Sequence, residues 1–410
     1  MSPEKKRMVG LWEREVGRLA PKHFANAVMA SQDFVHSLNI QKRLRKHRGC
    51  VNTLSFNADG SLLLSGSDDR SLALWNWEEA LPTFTFHTGH SNNVLHAQFM
   101  HLSDDRSIVS CAADGEVRHS KIQQGGCVIT DELVELEFAV HKLAVEPGSP
   151  HTFYCCCEDS SVWLFDLRGK DAVELFKCGA ADHFSGENVE LFAIAIDPRK
   201  PCFFAVAGSD EPASYWHPTA MTISTFSQQS MGYTSIMLRD KLPIPTAFKG
   251  HRNIHTIKGV NFLGPNCDYV TSGSDCGHIF IWRKKDGQLI RVMKGDKRIV
   301  NCVEQHPSGI VVASSGIEND IKIWEPGECE NPSITHIEEV EAEMWHSSSS
   351  DSDAFFYYND YDYMMDSDDD LYIETDDSVE DIDTSEDSSE EDENSDNSAK
   401  EDGDGDNSGG

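Results

Sequence analysis

The segment Ser65-Gly-Ser-Asp-Asp-Arg-Ser-Leu-Ala-Leu-Trp75 opens on small residues, turns on two acids and closes on alternating apolar positions that end in tryptophan. Ser272-Gly-Ser-Asp-Cys-Gly-His-Ile-Phe-Ile-Trp282 and Ser314-Ser-Gly-Ile-Glu-Asn-Asp-Ile-Lys-Ile-Trp324 follow the same template. Residues 110–120, 155–165 and 206–216 follow it more loosely. Apolar alternation with a period of two is the mark of a half-buried strand, so each copy reads as strand, tight turn, strand. The copies begin at 65, 110, 155, 206, 272 and 314, at spacings of 45, 45, 51, 66 and 42 residues. Such a period decides the architecture, because one unit cannot bury its apolar face without a stacked neighbour.

A period of about 40–45 residues, with Gly-His near the start of each unit and Trp near its end, is that of WD40 β-propeller blades. Gly89-His90 and Gly250-His251 supply the dipeptide, and His47 lies at the matching offset before Asp69 and Trp75. In the first blade His47, Ser65, Asp69 and Trp75 are spaced to form a structural tetrad running from carboxylate to imidazole to hydroxyl to indole. A buried aspartate is tolerable only when hydrogen-bonded in this way. Leu54, Phe56, Leu72 and Leu74 alternate as strand residues, and Asp59-Gly60 supplies a hairpin turn. The other copies are less complete. Ser120 and Phe165 stand where Trp is expected, Cys276 and Glu318 stand where Asp69 does, and Gly295-Asp296 replaces Gly-His. The 66-residue spacing is too long for one blade and too short for two. Residues 217–247, interrupted by His217-Pro218 and Pro243-Ile-Pro245, read as a degenerate or deleted seventh blade. The expectation is an all-β propeller of six recognisable blades over residues 40–328, with a helical leader at 1–39 and an acidic, disordered tail at 329–410.

The net charge of −34 is unevenly spread. Residues 341–410 hold 27 acids against one lysine, while the rest of the chain holds 42 acids against 34 Lys and Arg. No net positive face for direct nucleic-acid binding is evident. The tail cannot bury a core and should be disordered. Its stretch 354–373 embeds aromatic residues among acids, a composition that can fold on a partner, and a polyacid can attract histones or other basic proteins. No apolar run approaches the ~20 residues needed to span a bilayer, and Met1-Ser-Pro-Glu-Lys-Lys-Arg lacks an apolar signal core. The expectation is a soluble intracellular protein of the nucleus and/or cytoplasm, without a membrane partner. The twelve cysteines include no Cys-x-x-Cys pair, so zinc is not expected. Cys155-Cys156-Cys157 reads as small buried strand residues.

The leader reads as helical. Leu11, Trp12, Val16 and Leu19 share one face, Pro21 interrupts the pattern, and Phe24, Ala27 and Val28 begin a second run. Ser31 can cap a third run that places Phe34, Val35 and Leu38 together. Such a leader either docks into a partner groove or packs against the side of its own propeller. Residues 40–46, Ile-Gln-Lys-Arg-Leu-Arg-Lys, are placed to form the outer strand of the last blade. Their basic cluster also resembles a nuclear import signal, or serves as charge that keeps an edge strand from pairing.

The third copy ends Phe165-Asp166-Leu167-Arg168, a Trp-Asp-x-Arg motif with Phe for Trp. An Arg fixed at a strand-to-strand corner can make bidentate contacts to a partner or simply pair with its own Asp166. Lys46-His-Arg-Gly-Cys-Val-Asn-Thr-Leu54, His141-Lys-Leu-Ala-Val-Glu-Pro-Gly-Ser-Pro150, Phe165-Asp-Leu-Arg168 and Lys249-Gly-His-Arg-Asn253, taken with the leader, resemble the DCAF family. These are the WD40 substrate receptors of cullin-4 ubiquitin ligases, and the likeness is to the member-eight type in a plant-like form. It covers about residues 10–326 apart from 212–247. The resemblance implies that Arg168, Asp166 and Phe165, helped by Trp12, Phe24 and Phe34, contact a damaged-DNA-binding-type adaptor. It also implies that the far face presents a target protein. Two departures stand out: a second such motif is expected after the fourth blade, where this chain reads Trp216-His217-Pro218-Thr219, and the following blade is largely absent. No phosphate loop, nucleophile elbow or metal-ligand pair appears, so no catalysis and no cofactor are expected. The alternative function is a chromatin- or histone-binding scaffold that uses the acidic tail.

Overall fold

The computed structural model describes residue 9 and residues 11–169, 172–178, 190–198, 203–209, 224–229, 232–236 and 248–327. The acidic tail and Trp216-His217-Pro218-Thr219 lie outside these residues, as do the expectations that rest on them.

The leader runs as a helical turn at 11–15, a helix Pro21–Met29 and a short helix Gln32–Ser37. Pro21 sits at the first helical position, where its missing N–H costs nothing. Ser31 caps the second helix, its Oγ accepting from the Phe34 N–H at 3.2 Å. The chain then enters β1 (Leu38–Arg45). Blade one follows as β2 (Val51–Phe56), β3 (Leu63–Ser67), β4 (Ser71–Asn76) and β5 (Leu81–His87), and blade two as β6 (Val94–Phe99), β7 (Ser107–Ala112), β8 (Glu116–Ile122) and β9 (Val128–Glu135). Blade three is β10 (Val140–Val145), β11 (Thr152–Cys157), β12 (Ser161–Asp166) and β13 (Val173–Lys177). Blade four is β14 (Leu191–Ile196), β15 (Phe203–Gly208), β16 (Ser224–Gln229) and β17 (Gly232–Ile236). Blade five is β18 (Val260–Leu263), β19 (Tyr269–Ser272), β20 (His278–Arg283) and β21 (Leu289–Lys294). Blade six is β22 (Val300–Gln305), β23 (Val312–Gly316) and β24 (Asp320–Pro326), completed on its outer side by β1. Each sheet has four antiparallel strands, joined in chain order in blades one to five, so short turns suffice within most of the blades, while in blade six the first strand of the chain supplies the outer edge.

The pairing of β1 with β24 sets Ile40 opposite Trp324 and Leu44 opposite Ile321. The basic residues of this edge strand are partly used in place: Lys42 meets Glu325 at 3.4 Å and Arg43 meets Asp320 at 2.9 Å. The leader packs on the same part of the ring. Met29, Phe34, Val35 and Leu38 are buried with Leu263, Tyr269, Ile279 and Trp324, and the Tyr269 hydroxyl donates to the Ala30 carbonyl at 2.9 Å. Burying each such side chain is worth about 1.5–3 kcal/mol.

Residues 217–247 do not build a separate sheet among the described residues. They supply β16 and β17, which pair onto β15 and complete blade four. The third strand of that blade is therefore Ser224–Gln229, not the 211–216 stretch that the repeat template points to. The template locates a strand by its turn and its terminal aromatic, and in this copy a long connection separates β15 from β16.

At the Asp59-Gly60 turn the backbone of Gly60 is left-handed, with φ 81°. A Cβ there would lie 2.0 Å from His306 Nε2. The Gly60 carbonyl accepts from Trp77 Nε1 at 2.7 Å and from the His306 ring at 2.9 Å, so this turn ties blade one to blade six. No helix among the described residues is long and apolar enough to cross a membrane.

Candidate adaptor corner and the blade interiors

Blade one brings His47, Ser65, Asp69 and Trp75 together. Trp75 Nε1 donates to Ser65 Oγ at 2.8 Å, Ser65 Oγ lies 2.7 Å from His47 Nε2, and His47 Nδ1 lies 3.0 Å from Asp69 Oδ2. Asp69 also accepts from the Arg48 N–H at 2.9 Å and from Ser71 Oγ at 2.6 Å. Burial opposes ionisation of Asp69, but the bonds from His47, Ser71 and Arg48 outweigh it and hold the carboxyl far below its ordinary range. The chain of bonds satisfies every buried polar group it contains and fixes the turn between β3 and β4, the second and third (b and c) strands of the blade, to the 46–50 connection that precedes β2.

Blade two keeps three members of this chain. His90 Nε2 lies 3.0 Å from Ser110 Oγ and His90 Nδ1 lies 3.2 Å from Asp114 Oδ2, while Ser120, in the Trp position, turns to Thr130 at 2.9 Å. Blade five breaks it. His251 lies 5.1 Å from the Trp282 ring, and its Nδ1 has no hydrogen-bond partner among the described residues. Trp282 Nε1 instead donates to the Lys249 carbonyl at 2.9 Å, and Asp275 is neutralised by the fully buried Lys258. Blade six keeps the Trp324-to-Ser314 bond at 2.8 Å and replaces the rest with charge. Lys322, 1 % exposed, meets Asp320 at 2.6 Å, Glu318 at 2.8 Å and Asp296 at 3.3 Å. Burial alone would raise the Glu318 carboxyl, but Lys322 and Lys297 bring it down to about 2. Sequence reasoning missed Lys322 and Lys258. A lysine in the otherwise apolar strand Ile321–Trp324, close to several acids, is the signal that would have found Lys322; Lys258, in the connection before β18, carries no such mark.

Cys155, Cys156 and Cys157 are fully buried in β11. Burial pushes the Cys155 and Cys156 thiols well up, so they serve as small strand residues.

The corner expected to meet a partner lies just after β12. Phe165 is buried, its ring stacked on Phe153 with centroids 4.7 Å apart, and so it anchors the corner from inside. Asp166 and Arg168 stand on the surface, Arg168 with 68 % of its side chain exposed. The guanidinium is held fork-to-fork, Nε donating to Asp166 Oδ1 at 2.9 Å and Nη2 to Oδ2 at 2.6 Å. These bonds draw the Asp166 carboxyl down to about 2. The pair presents a fixed planar cation with donor capacity left for a second partner.

The leader residues divide. Trp12 is 50 % exposed, with Arg18 over its ring at 5.2 Å. Phe24 is half-buried under Arg14 at 5.2 Å. Phe34 is 6 % exposed and belongs to the core that fastens the leader to blades five and six. Beside Trp12, Val9, Leu11 and Val16 are more than 40 % exposed, an apolar face on the first turns of the described leader.

The WD domain, G-beta repeat family matches residues 38–76, 243–283 and 287–325. The first and last of these each take in the outer strand of one blade and the first three strands of the next. The chain is a WD40-repeat β-propeller protein. Folds of this type are typically non-catalytic scaffolds. Among curated WD40 relatives, the DDB1- and CUL4-associated factor 6 of Mus musculus is 29% identical over 238 residues, covering 56% of this chain and 27% of the relative. The Homo sapiens protein of the same name is 28% identical over the same span. Protein ALTERED SEED GERMINATION 2 of Arabidopsis thaliana is 40% identical over 120 residues, 29% of this chain and 16% of that one. The chain thus spans about a quarter of the length of the first two relatives and less of the third.

Proposed function

We propose that this WD40 protein is a non-catalytic substrate receptor of a cullin-4 RING ubiquitin ligase, bridging its adaptor to a target protein in the nucleus or cytoplasm. The reading is carried by the exposed Asp166–Arg168 fork at the corner of a blade, in a chain similar to two proteins named as DDB1- and CUL4-associated factors. Within that class the member-eight type is our proposal from the sequence motifs. Ubiquitin transfer belongs to other subunits.

The strand directions support one docking face. Arg168 lies in the turn after β12, the third strand of its blade. Tyr269, which holds the leader at Ala30, begins the second strand of blade five and so lies at an a–b turn. In an antiparallel blade the a–b and c–d turns fall on the same face. Leader attachment and Arg168 corner therefore share a face, where an apolar helix and a fixed guanidinium can engage one partner.

Co-purification of the full chain with the adaptor tests this. Arg168→Ala and, separately, the Leu11→Asp/Trp12→Asp double variant are each expected to weaken recovery at least about tenfold, as loss of interface anchors does. Deleting residues 1–39 is the wrong probe, because it removes Phe34, Val35 and Leu38 from the core. Undiminished recovery with both variants would contradict the receptor reading.

A further inference from the structure

Blade three has lost the polar interior of blade one. Leu136 stands four residues before Val140, where His47 stands before Val51 and His90 before Val94. Cys155 and Phe165 take the serine and tryptophan positions. Without an imidazole, Asp159 turns to Ser161 and to Lys177, which it meets at 2.7 Å. An open groove of about 570 Å³ lies beside Leu136 and Asp159, the histidine and aspartate positions, while Cys155 and Phe165 are packed in the core. The 135–138 connection brings Glu135, Glu137 and Phe138 to it, and the b–c turn and β12 bring Asp159, Ser160 and Trp163.

Three observations on this groove agree. Its charged lining is three carboxylates, Glu135, Glu137 and Asp159, against the single cation Lys177. Its apolar lining includes two aromatic rings, Phe138, 47 % exposed, and Trp163, half-buried. Ser160 is 1 % exposed, sits in a left-handed backbone at φ 73°, and has an Oγ without a hydrogen-bond partner among the described residues. A buried hydroxyl left unpaired in a groove wall is costly unless a ligand pairs with it. Carboxylates, an aromatic face and a spare acceptor are together what an ammonium or guanidinium group uses.

We propose that this groove binds the basic side chain, arginine or lysine, of an extended segment of a partner protein. The cation lies against Phe138 and Trp163, pairs with Glu135 and Glu137, and competes with Lys177 for Asp159, while its N–H groups reach Ser160 Oγ. The groove and Arg168 are at opposite ends of β12, about 17 Å apart at strand rise, so both surfaces can be occupied at once. Binding of the segment is independent of the adaptor, and only its role as the target-recognition site rests on the receptor reading.

The test is calorimetric titration of the full chain, at about 0.15 M salt to screen exposed charges, with the peptide acetyl-Gly-Ala-Arg-Ala-Gly-amide and its citrulline counterpart. Saturable binding of the arginine peptide is expected, with the neutral citrulline peptide at least about fivefold weaker. Glu137→Gln should weaken binding about threefold, and Lys177→Met should tighten it about threefold by releasing Asp159. Arg168→Ala should leave it unchanged, so this proposal and adaptor docking can fail separately. Equal binding of the two peptides overturns the proposal. So does arginine binding indifferent to both Glu137→Gln and Lys177→Met, which would assign the peptide to the acidic tail.

Discussion

The inner strands of blade one and blade five occupy the same register and meet opposite fates. Leu54 pairs with Ser65, and Val260 pairs with Ser272 in the same place. Phe56 lies two residues on, as Phe262 does. Leu54 and Phe56 are 3 % and 9 % exposed, packed with Val311, Ala313 and Ile321 of the preceding blade. Val260 and Phe262 are 55 % and 49 % exposed. Neighbouring inner strands pack side by side from β18 through β22, β2, β6 and β10 to β14, but no packing of that extent joins β14 to β18 among the described residues. Among the described residues the ring is sealed between blades six and one, where β1 leads into β2 and the Gly60 turn meets His306, and no comparable packing joins blades four and five. The same apolar strand pattern is thus a core element or an exposed surface, depending only on whether a neighbouring sheet arrives to cover it.

The largest effect should come from truncating the paired phenylalanines. Phe56→Ala is expected to cost about 3–5 kcal/mol in urea denaturation, and Phe262→Ala less than about 1 kcal/mol. Similar losses at the two sites would break the comparison. Next, the tetrad should matter where it is complete. Asp69→Asn removes a carboxylate that holds His47, Ser71 and the Arg48 N–H, at a cost of about 1.5–3 kcal/mol. Cys276→Ser, at the matching place in blade five, should stay within about 0.5 kcal/mol. Because the folded Asp69 carboxyl is depressed, its stabilisation is complete above the unfolded value near pH 4 and is lost as pH falls below it. The Asp69→Asn difference should shrink in acid accordingly.

Smaller still is the effect at Glu304, half-buried in β22. Burial raises its carboxyl to about 7, against the relief given by Lys142 and the Asn261 amide. A raised carboxyl means that the folded state holds its proton longer, so stability falls as pH rises from the unfolded value near 4.3 towards 7. Glu304→Gln should therefore stabilise the protein at pH 8, by on the order of 1 kcal/mol, and have no effect at pH 4. Arg168→Ala, at a surface pair, should leave the denaturation midpoint unchanged while acting on adaptor recovery.

Much of the comparison is legible in the sequence. The repeat spacing places the second and third strands of every blade but the fourth, the spacing of His47, Ser65, Asp69 and Trp75 foretells their hydrogen bonds, and residues 40–46 take the outer strand of blade six. Ser31, Phe34 and Val35 behave as the helical pattern says. What fails to read out is long-range. Gly250-His251 repeats the Gly-His of blade two, but His251 stands nine residues before Val260, where His47 stands seven before Leu54, its counterpart in register, and its Nδ1 finds no partner among the described residues. The strands at 224–229 and 232–236 carry none of the template's turn-and-aromatic marks, and so were not separable from a failed blade. The groove of blade three arises from what is missing around Asp159, and an absence has no motif. The exposure of Val260 and Phe262 depends on a neighbour sheet, which no local pattern encodes.

The exposure of the blade-five inner strand is tested most directly by native-state thiol labelling of Leu54→Cys and Val260→Cys variants, with each site quantified by mass spectrometry so that exposed Cys127 and Cys267 serve as internal references. The account predicts that Cys at 260 reacts with maleimide as fast as those references, and that Cys at 54 reacts only on unfolding. Protection of both sites in the folded protein would contradict it, and would mean that the ring closes between blades four and five.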